Sequence, residues 1–320
     1  MDELQRAIDV KYRAAAEEVD RLEADAQASE PAEIQLKAAE EQSLPSFFVV
    51  GPPRTGSSWL HEVLRSHALL PSPSKETRFF DTHFHRGLKW YSAHYVKSEG
   101  SRRMGEVAPT YFASAAARER IAQTVPEAKI VCVFRNPVDR IVSLYRLKRA
   151  YGLIPWDFEE AIERDPELME SSKYATTLRL WQRSFGARNI LAAVYDDLRA
   201  NPQAFVNEVV DFIGVPRFVL SGWHYGFVHD SERMTHPRNY YGTRTATRMA
   251  DWFKARRMDR LVSAFNRSRL RKLVLGGGPP FPKLPADLLT QLHEKFLPEV
   301  EQLEIILDRD LSAWKLPQAA

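Results

Sequence analysis

Three short stretches of the chain are apolar without a break: Phe47 to Val50, Ile130 to Phe134 and Ile190 to Tyr195. Runs this short and continuous predict strands buried on both faces, as in a parallel sheet. After each, apolar residues recur at helical spacing. This predicts helices opening at Ser57 and Pro137, over Tyr174 to Phe185 and Pro202 to Ile213, and a terminal helix over Ala286 to Leu307. Alternation of this kind predicts an α/β fold with three layers, a central parallel sheet flanked by helices, and ligands held at the carboxyl ends of the strands. Two flanking regions differ from this core. From Met1 to about Gln42 the residues Leu4, Ile8, Ala14, Val19 and Leu22 mark charged amphipathic helices, split at Pro31. The expected division is therefore a helical extension over 1–44 and one domain over 45–320. Gly276 to Pro285 is rich in turn formers and predicts a connecting loop.

The first strand runs into Gly51-Pro52-Pro53-Arg54-Thr55-Gly56-Ser57-Ser58-Trp59-Leu60. A strand, a Gly/Pro loop and a helix start make a phosphate cradle, because loop and first-turn N–H groups point at one spot and the helix dipole favours an anion there. The spacing is that of a P-loop, so the fold is P-loop-like, but Ser57 stands where an NTPase has its lysine. Arg54 is the loop's cation. The second strand ends in Arg135-Asn136-Pro137, with Ser143 two turns into the next helix. A guanidinium at a strand end, rather than the aspartate that helps hold magnesium in NTPases, makes a second anion site and not a metal site. Two such sites on neighbouring strand ends suit a nucleotide phosphorylated at both its 5′ and 3′ positions.

On these residues the chain resembles the sulfotransferases that use 3′-phosphoadenosine 5′-phosphosulfate (PAPS). Pro53 to Leu60 is similar to their 5′-phosphosulfate loop, and Arg135 followed by Ser143 to their 3′-phosphate motif. Lys75-Glu76-Thr77-Arg78-Phe79-Phe80-Asp81, Gly87 to Tyr91, Glu106 to Phe112 and Tyr174 to Trp181 resemble the heparan sulfate branch of that family. The resemblance runs from about Ser46 to Trp314. It implies a PAPS-dependent sulfotransferase that moves sulfonate in line to a hydroxyl, or an amine, of a small molecule or sugar and releases adenosine 3′,5′-diphosphate without a metal. Arg54, Thr55, Gly56, Ser57 and Ser58 would hold the 5′ end, with Arg54 neutralising the leaving phosphate. Arg135 and Ser143 would hold the 3′-phosphate, joined by Arg238, with Arg233 and Arg244 as alternatives. Tyr195 would contact the nucleotide. Trp59 would stack near the purine or fill the core. Glu76 is the expected base, beside an aromatic wall, with His83 and His85 as rivals. Two features depart from the branch: Val107 stands where it often has lysine, a cation Arg78 is placed to replace, and the C-terminal cysteine pair is missing.

Composition narrows the rest. With 44% hydrophobic and 27% charged residues the chain reads as a soluble globule, and a formal charge of +3 gives no nucleic-acid footprint. The single cysteine, Cys132, lies in an apolar run, reads as core, and supports neither a disulfide framework nor a zinc site. No run of eighteen apolar residues and no apolar leader segment occurs, so no membrane span and a cytoplasmic setting are expected. The N-terminal helices pack on the domain, join two copies as a homodimer, or cover the acceptor site. Two other functions share the cradle: a small-molecule or nucleoside kinase, and a non-catalytic nucleotide-binding scaffold.

Overall fold

The computed structural model describes residues 44–95, 102–225, 234–255 and 277–316. The expected N-terminal helices, the dimer arm built from them, and Arg233 lie outside these residues. Four strands form one parallel sheet: β1 (Phe47–Val49), β2 (Gly105–Val107), β3 (Lys129–Phe134) and β4 (Ile190–Val194), in the order β2-β1-β3-β4. Phe47 pairs with Gly105 on one side and Lys129 on the other, while Ile130 pairs with Ile190.

Alternation along the central strands separates two cores. Phe48, Val50, Ile130, Cys132 and Phe134 enter one cluster, whereas Phe47, Val49, Val131 and Val133 enter the other. Successive side chains of a strand point to opposite faces, so an unbroken apolar run supplies both. The first cluster is covered by α2 (Ala115–Thr124), α4 (Tyr174–Phe185) and α7 (Ala286–Leu307) through residues such as Ile121, Trp181 and Leu303. The second is covered by α1 (Ser57–Leu64), a short helix over Tyr195–Ala200, and α5 (Pro202–Ile213). A third cluster joins α3 (Pro137–Ala150) to α7. Helices on both faces of a parallel sheet give the three layers expected, and Cys132 lies fully buried between them.

The helix starts have local causes. Asn136 caps α3, its Oδ1 accepting from the N–H groups of Val138 and Asp139, with Pro137 at the first helical position. Asn201 and Pro202 repeat the device at α5.

Three elements differ from the sequence expectations. The strand β2 is short and has a glutamate at its centre, so no apolar run marks it. The third apolar stretch stops as a strand at Val194, and Tyr195 opens the helix that follows. Within the expected connector, Gly277–Pro280 forms β6, antiparallel to β5 (Thr235–Pro237). A two-stranded ribbon consists of edges alone, where proline's missing donor is tolerated. The hydroxyl of Thr235 accepts from Gly277 N at 3.0 Å and closes it.

Candidate active site

The strand ends of β1 and β3 open into a cleft of about 280 Å³. Its wall includes Arg54, Gly56, Ser57, Ser58, Lys75 and Glu76 from one side and Arg135, Leu144, Lys148 and Tyr195 from the other. The loop at its floor is held in shape by its own residues. Gly51 lies so close to β3 that a Cβ there would meet Val133 N at 2.3 Å. Thr55 Oγ1 donates to Pro52 O at 2.8 Å. Gly56 precedes α1 with φ of 97°, and α1 has no side-chain cap, so its first-turn N–H groups are left for a ligand. Arg54 itself has φ of 77°, a left-handed backbone that non-glycine residues enter at a cost of about 1–3 kcal/mol and that collects at functional sites.

The two anion motifs meet. Arg54 Nε donates to Ser143 Oγ at 2.9 Å, although 89 positions separate them. Arg135 lies over the Tyr195 ring, 5.2 Å from its centroid, and pairs loosely with Asp139 at 3.8 Å. Burial, and then the neighbouring Arg135, draw the Arg54 guanidinium pKa downward. Lys75 is drawn the same way by burial, against the opposing pull of Glu76, with Arg54 adding to the downward shift. Arginine remains charged under such pressure. A cleft that crowds cations together and withholds water from them is one that gains from binding an anion.

Glu76 lies in this wall, 3.3 Å from the Lys75 ammonium, its side chain 26% exposed. Lys75 also donates to Ser58 Oγ at 3.2 Å, which ties the Glu76 segment to the phosphate loop. From sequence it is Arg78 that is placed to replace the missing cation. The structure reverses this: Arg78 points out, 54% exposed, and pairs with Asp81 at 3.4 Å. The aromatic wall is also elsewhere, because Phe79 and Phe80 are fully buried in the core and Pro109 and Thr110 flank the cleft instead. Neither His83 nor His85 lines the cleft. His83 packs its edge on Trp90, and burial together with Arg86 pushes its pKa down to about 4.

Trp59 is buried, packs edge-on against Phe205 and donates from Nε1 to His224 O at 2.9 Å, so its indole is held by the core while one side reaches the cleft. Arg238 directly follows β5, donates to Gly277 O of β6 at 2.9 Å, and is not in the cleft wall. Arg244 lies in the second turn of α6 (Tyr240–Ala255), its backbone beside Gly152. Beside its apolar residues and Glu167, the wall holds three polar residues that were not read as site residues from sequence. Lys148 pairs with Asp165 and Glu167, each at 2.5 Å. Thr110 has a buried hydroxyl without a hydrogen-bond partner among the described residues. Lys75 is the third. Each is an ordinary polar residue in sequence, and the fold alone brings it to the cleft.

Residues 44–239 match the family model described as a sulfotransferase domain. The chain belongs to the sulfotransferase family. It is 32% identical over 199 residues to the bifunctional heparan sulfate N-deacetylase/N-sulfotransferase 2 of Bos taurus, and equally so to that of Homo sapiens. Each alignment covers 55% of this chain and 22% of the relative, so the chain spans about a fifth of the length of these curated relatives. Among solved structures, the sulfotransferase from Alicyclobacillus acidocaldarius superposes with a TM-score of 0.60 at 21% identity. That match covers 86% of this chain and 100% of the other, and shows a shared fold. The matched segment is thus a sulfotransferase domain, and it contains every residue of the cleft wall named above.

Proposed function

We propose that the chain moves the sulfonate of PAPS in line to a hydroxyl, less readily an amine, of a small-molecule or carbohydrate acceptor, with Glu76 as general base. The observation that carries this is the convergence of Arg54, Ser143, Arg135, Lys75 and Glu76 on one cleft from three separate stretches of chain. The wall fits such a donor. Arg54, Lys75 and Arg135 bring three cations to the loop, against the carboxylates Glu76 and Glu167, its first-turn N–H groups are uncapped, and Gly56 leaves no room for a Cβ beside Leu198 and Tyr195. PAPS, when bound, supplies the sulfonate and a stable diphosphorylated leaving group.

Arg54 and the N–H groups of α1 would hold the 5′ end, where Arg54 offsets the charge that grows on the leaving phosphate. Arg135, with Ser143, would hold the 3′-phosphate, and Tyr195 would border the nucleotide. Lys75 lies between loop and base, where it can meet the sulfonate oxygens and keep Glu76 aimed inward. Glu76 removes the acceptor's proton as its oxygen or nitrogen attacks. The curated relatives carry heparan sulfate in their names, which supports a carbohydrate as one acceptor class. The helical extension over 1–44, the homodimer and the cytoplasmic setting suggested by sequence belong to the same proposal. No helix among the described residues is long and apolar enough to cross a membrane.

The test is transfer of labelled sulfonate from PAPS to pooled alcohols, amines and desulfated sugars. The parent should label an acceptor, and Glu76→Gln should lower turnover by about 10²–10⁴ while adenosine 3′,5′-diphosphate still binds. Turnover of Glu76→Gln within a few-fold of the parent, with collapse in His83→Ala or His85→Ala, overturns the assignment of the base.

A further inference from the structure

Glu106 sits at the middle of β2 with no exposed surface, directly behind the segment that carries Glu76. Its Oε1 accepts from Thr77 N at 2.8 Å and from Thr77 Oγ1 at 2.7 Å. Its Oε2 accepts from Tyr91 Oη at 2.8 Å, and Tyr111 Oη lies 3.3 Å from both oxygens. Four donors thus fill the acceptor sites of one carboxylate.

The network then reaches back into the same turn. Thr77 Oγ1 accepts from Phe79 N at 3.1 Å, and Tyr111 Oη accepts from Phe80 N at 3.4 Å. Between them Arg78 has φ of 53°, a strained conformation that persists only where the surroundings over-determine it. A buried carboxylate contributes little to stability that an apolar residue of similar volume would not match. What it does is hold one backbone conformation. The bond to Thr77 N grips the peptide unit that joins Glu76 to Thr77.

We infer that Glu106 is a positioning residue, fixing the Glu76 carboxylate in the cleft through Thr77. This rests on Glu76 being the base. Glutamine at 106 keeps the volume but replaces one acceptor oxygen by an NH₂ that faces donors, so the turn that carries Glu76 loosens. A displacement on the ångström scale at a reacting group costs about 10–100-fold in rate.

The experiment is a double-mutant cycle. Glu106→Gln should lower kcat by about 10–100-fold, with KM for PAPS and the thermal shift given by adenosine 3′,5′-diphosphate nearly unchanged. In the Glu76→Gln background the same change should add almost nothing, because coupled residues are non-additive. A residue that served stability alone would cost the same in both backgrounds. Thr77→Val removes the hydroxyl while leaving the carboxylate, and should reproduce the loss of kcat; it carries the test if Glu106→Gln does not fold. Parent-level kcat in both variants, or an equal further loss in the Glu76→Gln background, overturns the inference. Parent-level turnover of Glu76→Gln on its own removes the base assignment instead, which is a separate failure.

Discussion

Arg54 and Arg135 face the same cleft, yet their removal should be felt in different constants. Arg135→Ala removes a charge-assisted contact, and calorimetry with adenosine 3′,5′-diphosphate should show affinity weaker by roughly 1.5–3 kcal/mol. Arg54→Ala should lower kcat more than affinity, since leaving-group charge grows towards the transition state. A pure affinity loss at Arg54 would remove its role at the leaving group. Glu106 supplies a pH signature. Burial raises its pKa to about 7 against the donors from Thr77 and Tyr91, with Glu76 adding to the rise, and Tyr91, Tyr95 and Tyr111 are the other titratable groups around it. Between about pH 4.5 and 7 the folded state therefore holds a proton that the unfolded chain has released, and above that range Glu106 is the carboxylate that accepts from Thr77, Tyr91 and Tyr111. Stability from this group is full below about pH 4.5, the ordinary value, and falls as pH rises to about 7. The loss is on the order of 3 kcal/mol. Melting curves of Glu106→Gln should lack this decline. At this scale Arg54, Ser143 and Glu76 were legible because they stand in ordered linear motifs. Lys75, Thr110 and Glu106 also stand in such segments, but what each touches, Ser58, the cleft and Thr77, depends on neighbours in space that no spacing along the chain records.

Among the elements, the loop between β1 and α1 is the least tolerant of change. Gly56→Ala must adopt φ of 97° and place its Cβ 2.8 Å from Leu198 Cδ2 and 3.3 Å from the Tyr195 ring. The expected outcome is a destabilisation of about 1–3 kcal/mol in denaturant titrations, with nucleotide affinity lost in parallel. An alanine variant that binds like the parent would mean that the cradle does not need this backbone. The helices α4, α5 and α7 were legible to the residue, because Gly, Pro and Asn punctuate periodic segments. The strands β2 and β6 were not. One is three residues long with a charge at its centre, and the other is Gly-Gly-Pro-Pro, whose pairing with Thr235–Pro237 is a long-range event that overrides local preference.

For the whole molecule, ligand linkage is the direct test of a two-phosphate site. Adenosine 3′,5′-diphosphate at a hundred times its dissociation constant should stabilise the fold by about 2.7 kcal/mol. Magnesium should add nothing, because Arg54, Lys75, Arg135 and Lys148 outnumber the carboxylates Glu76 and Glu167 in the cleft wall and repel a cation. Equal stabilisation by AMP would show that the 3′-phosphate is not recognised. The three-layer architecture was legible because continuous apolar runs alternated with periodic ones, and the two cores on either side of the sheet follow from that alternation.

The order β2-β1-β3-β4 has a consequence for how the protein comes to exist. Every strand pair in this sheet joins residues more than fifty positions apart, and all are parallel. No hairpin can nucleate it, so large loops must close before any pairing is rewarded, which makes folding slow. During synthesis the glycine loop emerges well before Tyr195 and Leu198, which lie against Gly56. The nascent chain therefore has no nucleotide site until β4 and the helix after it have docked, and the donor cannot act as a template for the steps that build its own cradle.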